Sequence, residues 1–246
     1  YFSLKFILLI YILYNMYLLL FNKFILKSLA YLILYPIIDL SLLFTNYDTY
    51  NKYSKLGINR KLYVISNIAK SIFLVHISYT FINILYSNNT LFELDWGENS
   101  FDIKNLVISY LIPDFWSILI TSHTMNLSTV FHHICVIIAT IFIMFSDLNQ
   151  PGVHISFIVY GLYSAYTFLV NFFLGARFFT NFSNRFLTLT NASYIISCSL
   201  NWDWQIYYTY ENFYFHYQWF IFLTLLYFWI NDDIILVKFL LNYKNK

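Results

Sequence analysis

The chain has 246 residues, of which 60% are hydrophobic and only 11% charged, and its formal net charge is +2 at pH 7. Soluble domains carry about a quarter charged residues, so this balance excludes a soluble enzyme or a soluble binding module. No basic cluster interleaved with exposed aromatics occurs, which excludes a nucleic-acid surface. Cys135 and Cys198 each sit in an apolar stretch without C-x-x-C spacing. They read as small buried residues, and neither a metal site nor a disulfide framework is predicted.

A spanning helix needs about 20 mostly apolar residues. In chain order, such runs fall at roughly 6–22, 28–44, 62–86, 104–122, 127–146, 152–175, 186–201 and 213–231. The first, Phe6 to Phe21, lacks a small-residue cleavage site and reads as a span or anchor. The seventh is short and flanked by polar residues. In hydrocarbon each backbone polar group is bonded within its own segment, so the spans are predicted as helices. Continuous apolar runs also lack the alternation of a membrane β-barrel. The expected fold is therefore an all-α, polytopic integral membrane protein.

Loop charges give the orientation. Residues 45–61 carry Lys52, Lys55, Arg60 and Lys61 against Asp48, whereas the next loop carries Glu93, Asp95, Glu98 and Asp102. Asp147 stands alone in its loop, Arg177 and Arg185 lie in the following one, Asp203 and Glu211 come next, and Lys238, Lys244 and Lys246 close the chain. Basic and non-basic loops alternate, as the positive-inside rule requires, and put the C-terminus on the cytosolic side. Lys23 and Lys27 alone break the pattern. The division is N-terminal transmembrane helices over 1–54, a six-span core over 55–242 and a short basic tail at 243–246. Asn88, in an N-x-S/T triplet of a non-cytosolic loop, is a candidate glycosylation acceptor.

Ionisable residues inside spans are costly and need a reason. Asp114 follows Tyr110 by four residues, so the two share a helix face, and Pro113 between them would free a backbone carbonyl. His132 and His133 open the next span and point about 100° apart, which suits two surfaces better than one metal. An imidazole that titrates near neutrality suits proton transfer. His76, Asn171 and Arg177 are further polar candidates, while Asp232 and Asp233 read as interfacial residues closing the last span.

The order of these features resembles the TLC-domain family, the membrane domain shared by ceramide synthases, translocating-chain-associating membrane proteins and the ceroid-lipofuscinosis membrane protein. Asn67, Ser71 and His76 resemble the polar residues of its first span, Tyr110 and Asp114 its Tyr-x-x-x-Asp signature, and His132–His133 its histidine pair. Phe168 to Asn171 through Arg177, and Phe228–Trp229 with the basic tail, complete the order over residues 55–242. The resemblance implies a six-helix core, preceded here by one or two extra helices, in the endoplasmic reticulum or a related endomembrane. The acidic cluster that ceramide synthases carry on the span after the histidines has no counterpart in Gly161 to Thr167.

The expected function is therefore that of a membrane protein which binds lipid and influences membrane lipid composition or trafficking. The alternative is a lipid acyltransferase resembling ceramide synthase, with His132, His133 and Asp114 as catalytic residues and Tyr110, His76 and Asn171 contacting substrate. No cofactor is expected unless the chain is an acyltransferase, which would use acyl-CoA. Membrane lipids are the expected partners, and nothing in the pattern opposes a homo-oligomer. A transporter would place charges in several spans or show internal symmetry, and ranks last.

Overall fold

The computed structural model describes residues 2–88, 95–214 and 216–244. Its elements are α1 (Phe2–Leu43), α2 (Tyr47–Ser54), α3 (Ile58–Asn88), α4 (Ser100–Thr121), a 3-10 turn (Ser122–Thr124), α5 (Leu127–Phe145), α6 (Val153–Ala165), α7 (Phe168–Ala176), α8 (Asn184–Asn212) and α9 (Tyr217–Lys244). Among the described residues there is no strand. Helices α1 (from Tyr17), α3, α4, α5 and α9 are long and apolar enough to cross a membrane, and α6 with α7, bent by 51°, makes a sixth if the pair counts as one span. The chain is an all-α polytopic membrane protein. Glu93, Lys246 and the side chain of Asn88 lie outside the described residues.

The two predicted N-terminal spans are a single helix. α1 runs 42 residues and passes through Pro36. Lys23 and Lys27 therefore lie within a helix and belong to no loop, which removes the exception in the charge pattern. Lys27 reaches α4, donating to the Asn105 carbonyl at 2.8 Å and to the Ser109 hydroxyl. A buried ammonium needs such acceptors. At the other end of α1, Tyr53 of α2 is fully buried and donates to Asp39 at 2.5 Å. Burial and the adjacent Asp39 carboxylate push the Tyr53 hydroxyl up in pKa.

The core consists of α3, α4, α5, the α6–α7 pair, α8 and α9. α8 is too polar to pass as an apolar span over its 29 residues. It nevertheless packs against α6, α7 and α9. Arg185, Asp203 and Glu211 are exposed, while one polar stripe, Asn191, Tyr194, Cys198, Asn201 and Gln205, is buried. Steps of three and four residues put these side chains on one helix face. Gln205 donates to the Ser156 carbonyl and to Asn201 Oδ1, both at 3.1 Å, which ties the stripe to α6.

The bend between α6 and α7 comes at Tyr166–Thr167, where the α-helical ladder gives way to tight turns. Tyr166 N bonds the Tyr163 carbonyl and Thr167 N the Ser164 carbonyl, each at 3.1 Å. The Ser197 hydroxyl of α8 also donates to the Tyr163 carbonyl at 2.6 Å. Backbone groups released at the break are thus satisfied inside the protein, the condition under which a span can be interrupted.

α7 approaches α3 closely because Gly175 has no side chain. A Cβ there would stand 2.9 Å from the Val64 carbonyl oxygen and 3.0 Å from Ile68 Cγ1. Small residues permit such backbone contact between membrane helices. Gly175→Ala is expected to force the helices apart and to destabilise by about 1–3 kcal/mol. An unfolding titration in a fixed detergent checks this, and an unchanged midpoint would contradict the packing.

An aromatic cluster fills the half of the bundle away from the basic loops. Trp229 stacks on Tyr160 at 4.5 Å and meets Phe157 edge-on at 5.8 Å, and Trp204 stacks on Tyr208 at 4.7 Å. These pairs close the bundle interior below the cavity described next.

Candidate functional site

Polar residues that the apolar spans cannot show to lipid turn inward and line one cavity of about 700 Å³. Its wall takes residues from α3, α4, α5, the α6–α7 pair, α8 and α9. Asn59 and Arg60 at the start of α3, Met125 and Asn126 before α5, and Arg177 after α7 mark one end. That end lies on the side of the basic loop 45–61. A volume of this size suits a small-molecule or lipid ligand.

At the centre, three helices meet on one carboxylate. Asp114 of α4 is fully buried. Lys70 of α3 donates to its Oδ1, and His133 Nδ1 of α5 stands 2.7 Å from the same oxygen. Lys70 and His133 both line the cavity. A cation beside a buried carboxylate offsets much of the cost of burying either charge. The contact of His133 with Asp114 is at ion-pair distance without hydrogen-bond geometry at Nδ1, and a carboxylate this close can orient an imidazole.

His132 takes a second carboxylate. Its Nδ1 is 3.4 Å from Asp232 Oδ2 on α9, and Ser128, one turn earlier on α5, donates to Asp232 Oδ1 at 2.9 Å. The two rings meet edge-on, 5.6 Å apart at 85°. The divergence expected of adjacent helical residues is what lets each imidazole reach a different helix.

Asp233 was expected at an interface. It is instead buried mid-helix, because α9 continues to Lys244. Tyr160 of α6 and Tyr194 of α8 donate to its two oxygens at 2.5 and 2.8 Å. The residues read as the start of a basic tail, Tyr243 and Lys244, belong to this helix.

The remaining candidates divide. Tyr110 lines the cavity and packs against Gly161, whose missing Cβ would lie 3.7 Å from its ring. Asn171 lines it too, with its amide donating to the Thr167 carbonyl at 3.4 Å. His76 is exposed on the outer face of α3, and the structure does not bring it to the cavity. Sequence reasoning passed over Lys70, although an ammonium in mid-span is itself a signal. It also missed the α8 stripe, of which Tyr194, Cys198 and Asn201 line the cavity.

No family model, curated protein or solved structure matches the chain. The chemistry open to the site follows from its groups. An imidazole oriented by a carboxylate can take a proton from a hydroxyl or amine, and a nearby ammonium can steady negative charge.

Proposed function

We propose that the chain binds a membrane lipid in this cavity and transfers an acyl group to it, with His133 as general base. The contact that carries the reading is Asp114, held by Lys70 and standing 2.7 Å from His133 Nδ1 on the wall of the cavity. In the reaction, the acceptor hydroxyl or amine gives its proton to His133 Nε2 and attacks the carbonyl carbon of an acyl thioester such as acyl-CoA. The C–S bond then breaks, and the imidazolium returns the proton to the leaving thiolate. Asp114 holds the ring and balances its charge, Lys70 faces the oxyanion, and Tyr110 contacts the acceptor.

The likeness to the TLC-domain family belongs to this reading, as does an endomembrane location with the C-terminus in the cytosol. The stretch Gly161 to Thr167 has no carboxylate, and that absence favours the simpler role of a lipid-binding protein that adjusts membrane composition. Two acids from α9 stand nearby, however: Asp232 at His132 and Asp233 at Tyr160. They supply from another helix the negative charge that the α6–α7 span lacks.

The test offers the reconstituted protein acyl-CoA with a panel of sphingoid bases, lysophospholipids and other lipid alcohols. Product formation that disappears in His133→Ala is the expected result. No turnover across the panel would leave the lipid-binding role in its place.

A further inference from the structure

Arg60 and Arg177 both line the cavity at its basic end. Among the described residues, neither forms an ion pair. The carboxylates of the wall are already engaged: Asp232 by His132 and Ser128, and Asp233 by Tyr160 and Tyr194. Asp114, behind the wall, is engaged by Lys70 and His133. None is left for a guanidinium.

Arg177 is nonetheless held in place. Its Cζ lies 4.9 Å from the ring centroids of Phe178 and Phe239 and 5.8 Å from that of Tyr63. Rings of this kind attract a guanidinium while making no demand on its five N–H donors. Phe239 follows Asp233 by six residues, which is about 9 Å along a helix. The cation thus stands nearly two turns outside the acidic centre, and the amides of Asn67 and Asn171 line the same cavity.

We propose that this end of the cavity binds the phosphate group of an amphiphile, with its oxygens on Arg60 and Arg177 and its apolar chain in the cavity. Guanidinium forks match phosphate oxygens two at a time, and a phosphate brings enough acceptors for two such groups. The site lies on the basic side of the bundle, where the phosphates of a cytosolic leaflet would be found. The proposal rests on the reading of the cavity as a lipid site and names the headgroup class it takes.

The full chain in maltoside micelles would be titrated with dioleoyl phosphatidic acid and with dioleoylglycerol, which has the same chains and no phosphate, and binding followed by native mass spectrometry. Phosphatidic acid is expected to bind at least about tenfold more tightly. Arg60→Gln and Arg177→Gln should each remove most of that advantage, with dioleoylglycerol binding unchanged and Arg177→Lys intermediate. Equal binding of the two lipids, or full phosphatidic acid affinity in both glutamine variants, would overturn the proposal. Arg60 is exposed and unpaired, so its variant remains informative if Arg177→Gln misfolds.

Free coenzyme A added as competitor identifies the source of the phosphate. Displacement that weakens in the same variants assigns the site to a soluble phosphate ester, and absence of displacement assigns it to a membrane phospholipid. Binding is read here without turnover. Failure of acyl transfer would therefore leave this measurement standing, and failure here would leave the transfer assay standing.

Discussion

Asp114→Ala is expected to destabilise the fold by about 3–5 kcal/mol, the usual result of removing one partner from a buried ion pair. The carboxylate is fully buried and serves two other helices at once, through Lys70 and His133. Without it, the Lys70 side chain loses its ion-pair partner in the bundle interior. Asp114→Asn preserves the shape and should recover part of the loss. Replacing both partners, Lys70→Met with Asp114→Leu, should return stability to within about 1–2 kcal/mol of the parent, because no charge is then stranded. Unfolding titrations of the four proteins in one detergent read these differences. A single Asp114→Ala variant that unfolds with the parent would show that packing alone joins α3, α4 and α5.

For the acyl transfer proposed above, His133→Asn is expected to lower the rate by about 10²–10⁴, the range over which a positioned general base contributes. His132→Asn should cost less, about tenfold, because its imidazole meets Asp232 at 3.4 Å while His133 meets Asp114 at 2.7 Å. Initial rates with saturating acyl donor separate the two. Equal losses would mean that the histidines act as one unit, and a larger loss for His132 would transfer the base to that residue. Binding of the lipid acceptor should survive both substitutions, since neither removes the cavity.

The sequence made the membrane class and the long apolar helices α3, α4, α5 and α9 plain, since run length is a local property. Where it misled, the reason was also local. A hydropathy window cannot distinguish one long helix from two spans joined at lysines, and Lys27 is tolerated in α1 only because α4 offers it two acceptors. The last span was ended at Asn231-Asp232-Asp233, although the apolar run Ile234-Ile235-Leu236-Val237 resumes directly after it. That resumption was the available sign that the acids face inward. The polar stripe of α8 was likewise present as a three-and-four spacing, but it lowered the mean hydropathy and so counted against the helix.

The site was legible as a set of residues and not as a set of pairs. Asp114 and the two histidines stand out because charge in a span is costly. Which helix faces which is decided by tertiary packing. The partnership of His132 with a carboxylate a hundred residues away could not be read from spacing. His76 shows the converse: it sits in the same helix as Lys70 and Asn67, yet its register turns it outward.

The helices differ in length by enough to matter to the bilayer. Of the helices that qualify as spans, α5 has 19 residues, about 28 Å, and α4 has 22, about 33 Å, whereas the described parts of α1, α3 and α9 each cover 27, about 40 Å. A hydrocarbon layer of about 30 Å fits α5 upright, whereas the longer helices either tilt or extend beyond it into the interfaces. The two helices that carry Asp114 and the histidines, α4 and α5, are thus close to the thickness of the layer. Hydrophobic mismatch falls on their neighbours, each ångström of it costing a fraction of a kcal/mol. Bilayer thickness thereby becomes a variable that bears on the walls of the cavity, and sterol-rich membranes should relieve strain that thin ones impose.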